Sequence, residues 1–79
     1  MPEGETMGDR LRRLRHAAGL SQQRLADLAA VPLGSLRNWE QGRREPLLGP
    51  AGRLALALGV TLDELAGLAR PALHEGGGV

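Results

Sequence analysis

Seventy-nine residues make one small domain, and a chain of this size buries only roughly 60–65% of its unfolded surface, so its stability is modest. The absence of cysteine excludes disulfides and thiolate metal sites, and no apolar run is long enough to span a membrane. The net charge of +1 is unevenly distributed: Arg10 to Arg53 holds nine arginines against Asp27, Glu40 and Glu45, between acidic flanks. Glu3 and Glu5 stand where an export signal would carry basic residues, so no standard signal is expected.

Residues 1–7 show no periodicity and read as a flexible arm. Gly8 or Asp9 then opens a first helix, with Asp9 the better cap, and the helix runs to about Ala18. Leu11, Leu14, Ala17 and Ala18 share one face, while Arg10, Arg12 and Arg13 lie off it and are expected in solvent. Gly19 suits the left-handed residue that ends such a helix.

Ser21 is a good N-cap for a second helix, with Leu20 and Leu25 as its hydrophobic staple. Leu25, Ala26, Leu28 and Ala29 supply the inward face. Val31-Pro32 breaks the periodicity, because proline disfavours the α conformation in the residue before it. A third helix follows over about 32–41 and Gly42 ends it. Turned at about 100° per residue, it brings Ser35, Leu36 and Trp39 inward. Gly34, Arg37 and Gln41 face outward, flanked by Leu33 and Asn38. A short helix with arginine and amides along its outer face fits the major groove of DNA. On that pattern alone, a solvated helix face accounts for it equally well.

Arg43-Arg44-Glu45-Pro46 forms a loop, since Pro46 cannot continue a helix. A fourth helix within Leu47–Leu58 buries Ala51, Leu54 and Leu58 despite Gly49, Pro50 and Gly52, and Gly59 closes it. Thr61-Leu62-Asp63-Glu64 is a capping box with Val60 and Leu65 as its staple. The fifth helix is expected to reach about Ala69, leaving residues 71–79, with three successive glycines, as a flexible tail. The folded body is thus expected over 8–70.

Little in the chain points to catalysis. His16 and His74 are far apart and have no ligand at metal spacing, so no metal site is expected. Asp63 and Glu64 are better explained by the capping box than as an acid–base pair. There is no strand pattern and no phosphate-binding glycine loop, and the lone Trp39 falls at a core position. Neither a cofactor nor an enzymatic activity is expected.

The segment from Gly8 to Gly67 resembles the phage repressor and Cro type of helix-turn-helix, the XRE-like family of DNA-binding regulators. The resemblance is carried by Leu11, Leu14 and Arg15, by Gly19-Leu20-Ser21-Gln22 and Leu25-Ala26, and by Val31 and Leu36. It continues through Trp39-Glu40-Gln41-Gly42-Arg43-Arg44-Glu45-Pro46, Leu54-Ala55 and the run from Ala57 to Leu65. It implies an all-α, five-helix, repressor-like DNA-binding domain. The resemblance places Leu33, Gly34, Arg37 and Asn38 at the bases, Gln22, Arg43 and Arg44 on phosphates, and Arg15 in a structural ion pair with Glu40. It also implies double-stranded DNA as the partner, a homodimer on a pseudo-palindromic site, and a cytoplasmic, nucleoid-associated location in a prokaryote.

The chain departs from the family pattern in three places. Ala30 replaces the usual turn glycine, Pro32 replaces a Ser or Thr cap, and Leu33-Gly34 stands where polar readers are common. Two other readings therefore remain beside sequence-specific regulation: the DNA-binding antitoxin of a toxin–antitoxin pair, and a protein-interaction module on a degenerate helix-turn-helix.

Overall fold

The computed structural model describes residues 4–68. The first helix, α1 (Met7–Ala17), opens earlier than its apolar periodicity indicates. Thr6 is the cap: its Oγ1 accepts the Asp9 N–H at 3.0 Å, and the Asp9 carboxylate accepts the Thr6 N–H at 3.2 Å. Asp9 is thus the third helical residue of a capping box rather than the cap. The reciprocal bonds satisfy two orphan backbone donors, which Asp9 alone could not do.

The residues just before α1 are also tied down. Glu5 accepts from Arg13 Nε at 2.8 Å and from Arg13 Nη2 at 3.3 Å, and lies 3.7 Å from Arg10 Nε. The Arg13 hydrogen bond holds the Glu5 carboxyl below its ordinary pKa. That pairing therefore contributes above the ordinary carboxylate range and is lost as pH falls through the depressed value. Arg10 further donates to the Leu65 carbonyl at 3.4 Å, and Arg12 Nη2 to the Glu40 carbonyl at 2.8 Å. Arg12 and Arg13 are exposed, as expected, yet each also has a partner, Arg12 on α3 and Arg13 at Glu5 just before α1, whereas Arg10 is largely covered because α5 packs beside it.

Four more helices follow: α2 (Gln22–Ala29), α3 (Leu33–Glu40), α4 (Leu48–Leu58) and α5 (Leu62–Ala66). The described residues contain helices and no strand. Each helix contributes one fully buried leucine: Leu11, Leu25, Leu36, Leu54 and Leu65. Around them pack α2 on α4, α1 on α3, α2 on α3, and α5 on both α1 and α4. The buried Ala26 and Ala29 of α2, with Ala51 and Ala55 of α4, let those two helices approach closely. Leu28 lies at the edge of the inward stripe, about 100° from Ala29, and stays half exposed. Ala17 and Ala18 are likewise exposed, because α1 ends before a neighbour covers them.

Thr61 and Glu64 form the reciprocal capping box of α5. The helix stops at Gly67, well before Ala69, because Gly67 adopts φ +80°. The Leu68 N–H then turns back to the Asp63 carbonyl at 2.8 Å. The backbone conformation selects glycine there; the Arg10 guanidinium lies against the position but is the mobile end of a long side chain. The tail expected over 71–79 lies outside the described residues.

Candidate nucleic-acid interface

The connection between α2 and α3 is a tight left-handed turn. Ala30 takes φ +56° and ψ +46°, and the Val31 N–H reaches back to the Ala26 carbonyl at 3.0 Å. A left-handed alanine carries strain on the order of 1 kcal/mol. Ala30→Gly is therefore expected to raise the melting temperature by roughly 4–8 °C, read by thermal unfolding; a lowered value would show that chain entropy outweighs the strain.

Pro32 precedes α3 as its N-cap and makes no side-chain capping bond. Leu36 and Trp39 fix the inner face of α3 against the core. Gly34 and Arg37 are exposed, and Asn38 is half buried with no side-chain hydrogen bond among the described residues. Leu33 is also half buried and packs against the core cluster, so only part of its side chain is open to a ligand. A Cβ built on Gly34 meets no atom within 4 Å, which places that glycine on open surface.

The far end of α3 is held by a polar hub. Glu40 is 3% exposed and Arg15 9% exposed. Arg15 Nε donates to Glu40 Oε2 at 2.7 Å, and Arg15 Nη2 donates to Oε1 at 3.0 Å, a two-pronged contact. Arg15 Nη1 goes to the Leu20 carbonyl at 3.0 Å. Gln22 Nε2 donates to Glu40 Oε1 at 3.1 Å, and Arg12 Nε lies 3.9 Å away. Three helices thus converge on one carboxylate.

Charge accounting separates the remaining arginines. Arg53 Nε donates to the Ala29 carbonyl at 2.9 Å and so caps the end of α2. Among the described residues, Arg24, Arg37, Arg43 and Arg44 are exposed and have no side-chain hydrogen bond or ion pair. Three of these four lie on α3 or in the loop directly after it. No group of histidine and acidic residues suited to a metal is present among the described residues, and none of their helices is long and apolar enough to cross a membrane.

Sequence reasoning missed three contributors. Arg12 is exposed, as expected, and also donates to the last carbonyl of α3, a contact without a local sequence signal. Arg24 was given no role, although it shares the unpaired state of Arg37. Gly8 was read only as a helix opener; a Cβ there would lie 2.6 Å from the carbonyl oxygens of both Trp39 and Glu40. The available signal was a glycine inside a helical turn, where alanine is otherwise preferred.

A family model described as helix-turn-helix matches residues 11–65, which spans all five helices from Leu11 to Leu65. The chain belongs to this helix-turn-helix family, of the XRE type. The family is one of DNA-binding regulators rather than enzymes. The chain is 38% identical over 58 residues to the SPbeta prophage-derived uncharacterized HTH-type transcriptional regulator YonR of Bacillus subtilis (strain 168). That alignment covers 73% of this chain and 54% of the relative, so the chain spans about half the length of the curated relative it matches. Its fold is similar to the restriction-modification controller protein C.AhdI from Aeromonas hydrophila, with a TM-score of 0.72 and 41% identity over 75% of this chain and 89% of that one.

Proposed function

We propose that this DNA-binding transcriptional regulator reads a specific duplex sequence by laying α3 in the major groove. The observation that supports it is the division of the arginines. Those of α1 are engaged internally, whereas Arg37, Arg43 and Arg44, on and just after α3, are exposed without a partner among the described residues. Arg37 and Asn38 are the base readers, since arginine forks onto guanine and asparagine onto adenine. Gly34 permits close approach, and the exposed part of Leu33 meets a thymine methyl. Arg43, Arg44 and Gln22 hold phosphates and set the register. Two copies on a pseudo-palindrome, with half-sites about ~34 Å apart, would supply the specificity that one short helix cannot. The protein acts in the cytoplasm of a prokaryote, on its nucleoid.

Selection of bound duplexes from a random pool is the direct test, and it is expected to return a repeated half-site. Enrichment of no sequence would remove the base-reading role. On the selected duplex, Arg43→Ala or Arg44→Ala should weaken specific and random binding alike. Each should flatten the slope of log affinity against log salt by about 0.9. A loss confined to one sequence, with the slope intact, would make that arginine a base reader.

Gly34→Gln gives a second, independent readout. Nothing crowds the position, and replacing a helical glycine gains roughly 0.5–1 kcal/mol. The variant should melt at or above the wild-type temperature and yet lose affinity for the selected site. Unchanged affinity would show that Gly34 does not approach the bases.

A further inference from the structure

Gln22 is the first residue of α2, is half buried, and hydrogen bonds to the last residue of α3. Its partner, the Glu40 carboxylate, can only accept, so the amide must turn its nitrogen and not its oxygen towards Glu40. Arg15 fixes that carboxylate through two bonds, and Arg12 stands nearby. An amide nitrogen carries two N–H groups. With one held by a buried, immobile acceptor, the plane of the amide is set and the second N–H is left for another acceptor. It lies at the end of α3 that leads into the unpaired Arg43 and Arg44. The charge of Glu40 does not oppose an approaching anion, because it is 3% exposed and neutralised by Arg15.

We infer that Glu40 is a positioning residue for DNA binding, which presents the Gln22 amide to a backbone phosphate across the junction of α2 and α3. The inference rests on the assignment of α3 and its flanks as the DNA-binding face. It gives the buried carboxylate a second role: it joins α1 to α3, and it also orients a neutral donor on α2. Preorganisation is the physical gain, since a side chain already held in its bound geometry loses less entropy on binding.

The test uses the full chain and a mixed-sequence duplex, because a phosphate contact needs no operator. Gln22→Met keeps the side-chain length and removes the donor. It should lower the melting temperature by roughly 4–8 °C or more through the lost bond to Glu40, and lower the affinity of the folded fraction about tenfold, as expected for a lost hydrogen bond to a charged group. The salt slope should stay unchanged, because a neutral donor displaces no counterion. In the Arg15→Met/Glu40→Leu background, where apolar groups fill the space of the ion pair, the same Gln22→Met change should cost under about threefold, since the anchor is already gone. An equal loss in both backgrounds would show that the amide acts without Glu40 and would overturn the inference.

Should that background fail to fold, the side-chain NH2 resonances of Gln22 in the free wild-type chain decide the matter. A pinned amide gives one N–H signal displaced from its free-glutamine position and protected from exchange with water, whereas both signals at free-glutamine positions with fast exchange would overturn the proposal. If the wild-type chain bound no duplex at all, the DNA-binding assignment would fall and this inference with it; that outcome is recognisable because it does not depend on Gln22.

Discussion

Glu40→Ala is expected to destabilise the domain by roughly 3–5 kcal/mol, and Arg15→Ala by a similar amount. Arg15 and Glu40 are almost fully buried and contact each other through two hydrogen bonds, so removing one strands the other's charge without water. Glu40→Ala removes all three hydrogen bonds to the carboxylate, one of them from Gln22, and Arg15→Ala removes two of the three together with the bond to the Leu20 carbonyl. In a domain of this size such a change lowers the melting temperature by well over ~10 °C. The double variant should be far more stable than the sum of the single effects, because neither charge is then left alone. A pair replaced as a unit costs little, since burying both ions already offsets most of their attraction. For Arg15→Ala most of the lost DNA affinity should come from unfolding, with a smaller loss in the folded fraction because Glu40 then loses the anchor and the neutralising charge that let it orient Gln22. If Arg15→Ala instead kept its melting temperature and lost DNA affinity, Arg15 would be a phosphate contact.

Gly8→Ala is the second large effect. The added Cβ would sit 2.6 Å from two backbone carbonyl oxygens at the end of α3, and backbone cannot swing aside as a flexible side chain does. Overpacking of this kind costs about 1–3 kcal/mol. It competes with the better helix propensity of alanine, worth at most about 1 kcal/mol. Gly8→Val, with two more methyls against the same carbonyls, should exceed it. The displaced element is the recognition helix, so the folded fraction should also bind DNA less well. Melting curves and affinity corrected for the folded fraction test this together. A Gly8→Ala variant as stable as wild type, with intact affinity, would show that α1 and α3 separate at no cost.

How far the amino-acid sequence reaches can be followed at single residues. Ser21, Gly42, Gly59 and the Thr61–Glu64 capping box were legible because capping and left-handed turns are local chemistry, written within three or four residues. Leu11, Leu25, Leu36, Leu54 and Leu65 were legible because period 3.6 marks one face of a helix. The positive φ of Ala30 is what the resemblance implies at that turn position, and the backbone adopts it. Those features settle the order of the helices and which residue types each turns inward.

Other features had no local signature. The helix start at Thr6 is an exception: its Thr6–Asp9 capping box is local, but it precedes the first apolar repeat, so periodicity alone places the start later. The roles of Arg10, Arg12 and Arg13 depend on acceptors at Glu5, Leu65 and Glu40, two of them on other helices. Gly8 is selected by two carbonyl oxygens from α3, and Gln22 is oriented by a carboxylate 18 residues away. Local sequence therefore determined five helices, the caps of α2 and α5 and the apolar faces, because hydrogen bonding and helical period act over one turn. Which arginines are spent inside the fold and which remain free was decided only by the tertiary structure, because charge pairing depends on distance in space and that distance is set by how α1, α2 and α3 pack.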